Sequence, residues 1–204
     1  MRKACDLSRG QRNTVTIEPK GSLPRASGLL HVALWRKTAP SYPVPITDLK
    51  VRPASPLDRE AVLALVPRLR AFGEVPLRSA GALDAGELRT LTRYFDAGSE
   101  GARLWVAEGP DGKLLGAAYA QSLWDYFTEE THAHLGILMV AQHAARRGVG
   151  KALVEAVETW AREQRFRFLT LNVFARNVEA RRFYEHIGFD EDTIRYLKPL
   201  SSNA

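Results

Sequence analysis

The sequence predicts a mixed α/β (α+β) fold: one central mixed β-sheet flanked by helices. Three observations lead there. Apolar residues recur with a period of two in several short runs from residue 103 onward, the pattern of half-buried strands. The first two of these runs, 103–108 and 114–124, are joined by Gly109-Pro110-Asp111-Gly112, a hairpin connection that makes them antiparallel. Later, a strand, a glycine-containing loop, a helix and another strand follow in the order 131–174, which is the unit that joins parallel strands. Hairpins and a crossover in one chain give a mixed sheet.

Taken in order, "LKVRPA" (49–54) is a short strand. The stretch 55–72 is helical: Ser55 stands at a cap position, Pro56 suits the first turn, and Ala61, Leu65, Leu69 and Phe72 recur at helical spacing. Pro67 lacks an amide hydrogen and should kink or end that helix. A second helix spans 84–98 and closes at Gly98. Residues 131–141 form the third hairpin-region strand, and a helix runs from about 148 to 165. "FRFLTLNVF" (166–174) alternates Leu169, Leu171 and Val173 as a strand. A short helix covers 177–187, with Gly188 in the left-handed position that glycine tolerates. "TIRYLKPL" (193–200) reads as a last strand.

The totals narrow the class. At 204 residues, with 45% apolar and 25% charged, the chain suits one ordinary soluble domain. No apolar run is long enough to cross a membrane, and no secretory leader pattern is present. The single cysteine, Cys5, cannot form an internal disulfide, which fits a reducing, cytoplasmic compartment. No Cys, His and acid cluster has metal-ligand spacing, so no metal is expected. The net charge of +6 belongs to the start of the chain: residues 1–50 hold 9 Lys+Arg against 3 Asp+Glu, and the remainder balances at 20 and 20. A neutral body argues against a dedicated nucleic-acid surface. Residues 1–46 are rich in Gly, Ser, Pro and Arg and read as a disordered basic segment and linker; a basic arm for an anionic partner is the competing reading. The folded domain is then 47–204.

The loop "ARRGVGKAL" (145–153) carries the first functional signal. A phosphate-binding P-loop needs glycine where Ala145 stands and a hydroxyl where Ala152 stands, and a dinucleotide fingerprint needs a third glycine where Leu153 stands. Neither motif is met. What remains is a helix start with free amide N–H groups and the positive end of the helix dipole, which together favour an anion. Gly148 and Gly150 leave the backbone open, and Arg146, Arg147 and Lys151 add charge. A plain strand-to-helix turn with solvated arginines explains the same residues.

The segment "LNVFARNVEARRFYEHIGF" (171–189) decides between them. Asn177, Ala180, Tyr184, Gly188 and Phe189, taken with "ILMVAQHAARRGVGKALV" upstream, resemble the paired motifs of the GNAT superfamily of N-acetyltransferases, and the resemblance extends over about 47–200. It implies a GNAT-like fold in which a bulge in the strand before the loop splays it from the next strand, about 134–140 against 168–174, and the splayed pair receives acetyl-coenzyme A. It places the pyrophosphate on Ala145, Arg146, Arg147, Gly148, Val149, Gly150 and Lys151. The extended pantetheine arm would pair with the backbone of Leu138, Met139 and Val140, and Asn177 and Ala180 would contact it. The N–H near Leu138 would polarise the acetyl carbonyl. Tyr184 matches the family's general acid and also touches the cofactor.

The chain departs from the family twice. Ala145 stands where the motif has Arg or Gln, and the strand 131–141 has no glutamate for a general base. His134, with an ordinary pKa near 6.5, is the candidate base; His132 and, through water, Glu129 and Glu130 compete. The aromatic and acidic stretch 121–134 would border the acceptor amine. The reading is therefore direct acetyl transfer from acetyl-coenzyme A to an amine, without a covalent enzyme intermediate. The alternative is a catalytically weak GNAT-like module that binds acyl-coenzyme A or regulates. A homodimer is compatible with the resemblance; a membrane partner is not expected.

Overall fold

The protein is described by a computed structural model covering residues 44–98 and 100–200. Nearly all of the basic segment expected at 1–46, including Cys5, lies outside the described residues. Val44 to Ile46 are inside: the Ile46 N–H donates to the Arg147 carbonyl at 3.2 Å, and Ile46 packs at the rim of the core.

Five strands form one sheet in the order β1-β2-β3-β4-β5: Lys50–Pro53, Ala102–Glu108, Leu114–Asp125, Glu130–Val140 and Leu169–Leu171. The first four are antiparallel neighbours, and β5 joins β4 in parallel after the crossover helix α3 (Val149–Glu163). The sheet is thus mixed, as the sequence pattern requires. Each face carries a core. On one, Leu153, Val154, Val157 and Trp160 of α3 pack on Ala118, Ala133 and Leu135. On the other, α1 (Arg59–Leu63) and α2 (Ala80–Ala97) bring Val62 and Leu91 against Leu104, Val106, Ile137 and Met139.

The helices depart from the pattern where local chemistry overrides periodicity. The stretch 55–72 is not one helix. A 3₁₀ turn at Pro56–Asp58 leads into the short α1, and Val66–Arg70 tightens into a second 3₁₀ turn around Pro67. Proline removes one amide donor and clashes one turn back, so the α-ladder stops at Leu63. The helix α2 begins at Ala80 rather than 84, because Ser79 Oγ accepts the Ala82 N–H at 3.1 Å and starts it earlier. Gly98 closes it at φ +64°.

The C-terminal strand expected at 193–200 does not form. Residues 189–200 have no ladder partner among the described residues, and their side chains from Asp190 onward are exposed. An alternating pattern makes a strand only where a neighbouring edge completes its hydrogen bonds. The strand expected at 166–174 is likewise shortened to Leu169–Leu171.

An ion-pair network fixes the first strand. Arg52 donates to both oxygens of Asp58 at 2.8 and 2.9 Å and to Glu108 Oε2 at 2.9 Å. Asp58 also accepts from the Ser55 N–H at 2.7 Å, and these partners hold its carboxyl down at about 2. No helix among the described residues is long and apolar enough to cross a membrane.

Candidate active site

A break in the sheet creates the site. The β4–β5 ladder contains only Ala133↔Leu169, His134↔Thr170 and Leu135↔Leu171, whereas β4 continues to Val140. The parting begins at an irregularity. Tyr119 pairs with Ile137 but Ala120 pairs with Leu135, so Gly136 is an extra residue in β4. Such a bulge bends a strand and raises its twist. Beyond it, the Ala141 N–H turns to β3, donating to the Leu115 carbonyl at 2.8 Å. By strand alternation the backbone groups of Met139 face β3 as well, while those of Leu138 and Val140 face the gap. The Val140 carbonyl is already engaged there: Arg68 Nε donates to it at 3.2 Å. Arg68, which sequence reasoning passed over, comes from the 3₁₀ turn around Pro67; nothing in its own neighbourhood of the chain marks it.

The loop after β4 ends in an anion-ready helix start. Arg146 at φ +59° and Gly148 at φ +89° turn the chain into α3. The first helical bond that Gly148 receives comes from the Ala152 N–H at 3.0 Å, and no described group accepts from the N–H groups of Arg146 to Lys151. These donors and the helix dipole favour a phosphate. The two glycines differ in kind. A Cβ on Gly148 would meet open space, so a ligand can approach there. A Cβ on Gly150 would sit 3.4 Å from the Phe183 ring and 3.7 Å from Val140, so Gly150 serves the packing of α3 on α4 (Val178–His186) and β4. Val149 is buried in the core, and Ala145 is half-buried and extended. The Arg147 guanidinium is engaged at one of its nitrogens: Nε donates to the Val44 carbonyl at 2.9 Å. Arg146 and Lys151 are exposed, with Lys151 3.8 Å from Glu155.

From the other side, α4 presents Asn177, Ala180 and Tyr184. Asn177 Oδ1 accepts the Ala180 N–H at 3.1 Å, so this side chain caps the helix and keeps its amide NH₂ free. The Tyr184 ring packs between Phe183 and Phe189, at 5.2 and 5.7 Å between centroids, on the same core cluster that Leu138 and Val140 border. Burial pushes its phenol up to about 12, so the hydroxyl stays protonated at neutral pH.

At the point where β4 and β5 part lies a buried polar chain. His134 Nδ1 is 2.8 Å from Thr170 Oγ1, and the same oxygen is 3.0 Å from His132 Nε2. His132 stacks on Phe168 at 4.8 Å, and its Nδ1 is buried with no hydrogen-bond partner among the described residues. Burial first, and the neighbouring His132 second, lower the His134 pKa below its ordinary value, so His134 is neutral at pH 7. Thr170 was not legible as part of the site; it looked like one more alternating strand residue. Of the acids near this strand, Glu130 is paired with Arg167 at 3.0 Å, and the Asp125 carboxylate is occupied by the turn at Phe127 and Thr128. Trp124, Tyr126 and Phe127 at the hairpin are exposed. Among the described residues no three His, Cys, Asp or Glu side chains group as metal ligands.

Comparison with known proteins fits this architecture. Residues 76–189 match the model of the Acetyltransferase (GNAT) family. The chain is 27% identical over 145 residues to the uncharacterized N-acetyltransferase YhfO of Bacillus subtilis (strain 168), covering 71% of this chain and 92% of that one. It is 37% identical over 94 residues to the peptidyl-lysine N-acetyltransferase YiaC of Escherichia coli (strain K12), covering 46% of this chain and 54%, about half, of that protein. Among solved structures, aminoglycoside N-acetyltransferase AAC(6')-Iy in complex with CoA superposes with a TM-score of 0.58 at 19% identity, over 75% of this chain and 95% of that one. A Trypanosoma brucei acetyltransferase does so at 0.52 and 22%, over 75% and 100%. With the mixed sheet, the parted β4–β5 pair and the family match over residues 76–189, the chain belongs to the GNAT acetyltransferase family.

Proposed function

We propose that the protein transfers an acetyl group from acetyl-coenzyme A to a primary amine by direct attack. One observation carries the reading: β4 runs on past the end of its ladder with β5 into the uncapped start of α3, a path with open backbone groups at Leu138 and again from Arg146 to Lys151. Such a path suits a ligand with an extended amide arm and a pyrophosphate. The relative YiaC is named as a peptidyl-lysine N-acetyltransferase, and an amine acceptor of that kind supports the acceptor class.

In this reading the N–H groups of Arg146 to Lys151 hold the pyrophosphate, and the open face of Gly148 lets it approach. The departure at Ala145 costs one side-chain contact and leaves the backbone donors in place. The free NH₂ of Asn177 and the gap-facing backbone of Leu138 bind the arm. When bound, acetyl-coenzyme A supplies an activated thioester. His134, neutral and held by Thr170, takes a proton from the incoming ammonium group, leaving the amine able to attack. The Leu138 N–H donates to the carbonyl oxygen as negative charge gathers on it. As the carbon–sulfur bond breaks, the Tyr184 hydroxyl gives its proton to the sulfur, and the second proton of the attacking nitrogen leaves through water and restores the phenol. Burial pushes its pKa up to about 12, so the proton stays on Tyr184 until negative charge gathers on the sulfur beside it.

The experiment is release of free thiol from acetyl-coenzyme A in the presence of an amine panel: lysine peptides, aminoglycosides and simple amines. Amine-dependent release that is lost in Tyr184→Phe supports the reading. Absence of release with every amine, alongside measurable cofactor binding, favours the binding or regulatory module instead.

A further inference from the structure

The chain from 68 to 94 bridges the two parted strands, and its contacts fix where it runs. Arg68 Nε donates to the Val140 carbonyl on the β4 side of the gap. Further on, Phe72 packs on Phe174 at 5.5 Å between centroids, and the Arg78 guanidinium lies 5.7 Å from the centre of the same ring. Phe174 follows β5, so these contacts belong to the other side of the gap. From there α2 turns back, and Tyr94 meets Tyr119 of β3 at 5.8 Å. The first half of α2 therefore passes over β4, between the β5 side and β3.

Glu87 sits in that half. It shares a helical face with Leu91, which is fully buried, and with Tyr94. The side chain is half-buried, yet no described group donates to it or pairs with it. The cation of the neighbouring turn is spent elsewhere: Arg70 Nε donates to both Asp84 oxygens at 3.0 Å. Burial alone pushes the Glu87 carboxyl above its ordinary range. An uncompensated carboxylate there costs the fold, and a cation brought beside it removes the cost. The helix does not need the charge, since Ser79 caps it and Leu91 supplies the core contact.

We propose that Glu87 receives a second positive charge on the acceptor, so that the site selects polycationic amines over simple ones. The reacting nitrogen lies by His134, and Glu87 holds an ammonium group farther along the same molecule. A charge-assisted hydrogen bond in a half-buried setting is stronger than the same pair in open water. Two acids at the hairpin end of the sheet do not compete, since Glu130 is paired with Arg167 and Asp125 holds its own turn. The inference rests on the acetyl-transfer reading for where the acceptor lies, and it adds the acceptor's charge class.

The test is calorimetry on the full chain saturated with coenzyme A, which cannot react. The probes are spermidine, a linear triamine, and butylamine, a monoamine. The wild type should bind spermidine at least about tenfold more tightly than butylamine. Glu87→Gln should bring that ratio to about one while keeping its affinity for coenzyme A, and Glu87→Asp should restore part of it. Glu87→Leu should melt at a higher temperature than the wild type, because it removes a charge that the fold leaves unpaired. A wild type without the preference, a Glu87→Gln chain that keeps it, or a Glu87→Leu chain that melts lower overturns the proposal. The binding readout separates the two readings. A preference that depends on Glu87, without any acetyl transfer, upholds this inference and removes the enzymatic one. Amine-dependent transfer with no dependence on Glu87 does the reverse.

Discussion

His134 Nδ1 and Thr170 Oγ1 lie 2.8 Å apart across the last rungs of the β4–β5 ladder, and the same hydroxyl reaches His132 at 3.0 Å. One threonine therefore orients a histidine pair at the mouth of the gap. Replacing it by valine keeps the strand shape and removes the oxygen. We expect Thr170→Val to lower kcat by about tenfold while cofactor affinity stays the same, and His134→Gln to lower it by about a hundredfold or more. Steady-state kinetics with separate calorimetry checks both; a fall in affinity instead would make the hydroxyl structural.

The pH profile follows from the direction of the His134 shift. Its pKa lies below the ordinary histidine value because burial and His132 disfavour the charged form. A base works in its neutral form, so activity rises with pH through that lowered pKa and is already level by about pH 7. Thr170→Val should move this acid limb, since it changes what Nδ1 faces. An acid limb centred well above 6.5 in the wild type would contradict the assignment of His134.

Tyr184→Phe keeps the ring contacts with Phe183 and Phe189 and removes only the hydroxyl. Stability should therefore hold while turnover drops by about a hundredfold. With the phenol pushed up to about 12, no alkaline loss of activity below about pH 10 should come from Tyr184. Equal turnover in the phenylalanine variant would remove it from the proton path.

Asp58 offers a test of stability alone. Its folded pKa, about 2, is depressed mainly by the Arg52 hydrogen bonds. A depressed carboxylate stabilises above its unfolded value, near 4, and loses that contribution as pH falls from about 4 to about 2. Arg52 is 31% exposed, so solvent screens the pair, and Asp58→Asn should cost about 1 to 2 kcal/mol at pH 7. Urea unfolding at pH 7 and at pH 2.5 measures this: the two chains should differ at the first, and the difference should shrink to less than about half at the second.

What the sequence disclosed depended on how local the cause was. The Gly109–Gly112 hairpin, the Gly98 and Gly188 helix ends and the Asn177 cap are set by residues within a turn of each other, and all four stand where the pattern put them. The parting of β4 from β5 and a bulge in β4 were expected from the family resemblance, but the place of that bulge, Gly136, depends on register against β3, which no single strand encodes. Arg68 reaches Val140 across 72 positions, Thr170 reaches His132 across 38, and Arg147 is drawn off the loop by Val44 across 103. Such contacts exist only once the chain is folded. The strand expected at 193–200 is the converse case: its alternation is present in the sequence, but among the described residues it pairs with no neighbouring strand.

The central claim is that the start of α3 holds the pyrophosphate of acetyl-coenzyme A. It is tested most directly by calorimetric titration of acetyl-coenzyme A into the wild type, Gly148→Ala and Gly148→Glu. Both variants strain a backbone at φ +89°, but only the second adds a carboxylate to the open face. Clear wild-type binding, a modest loss in the alanine variant and near abolition in the glutamate variant is the predicted result. Equal affinity in the alanine and glutamate variants, or no binding by the wild type, would contradict it.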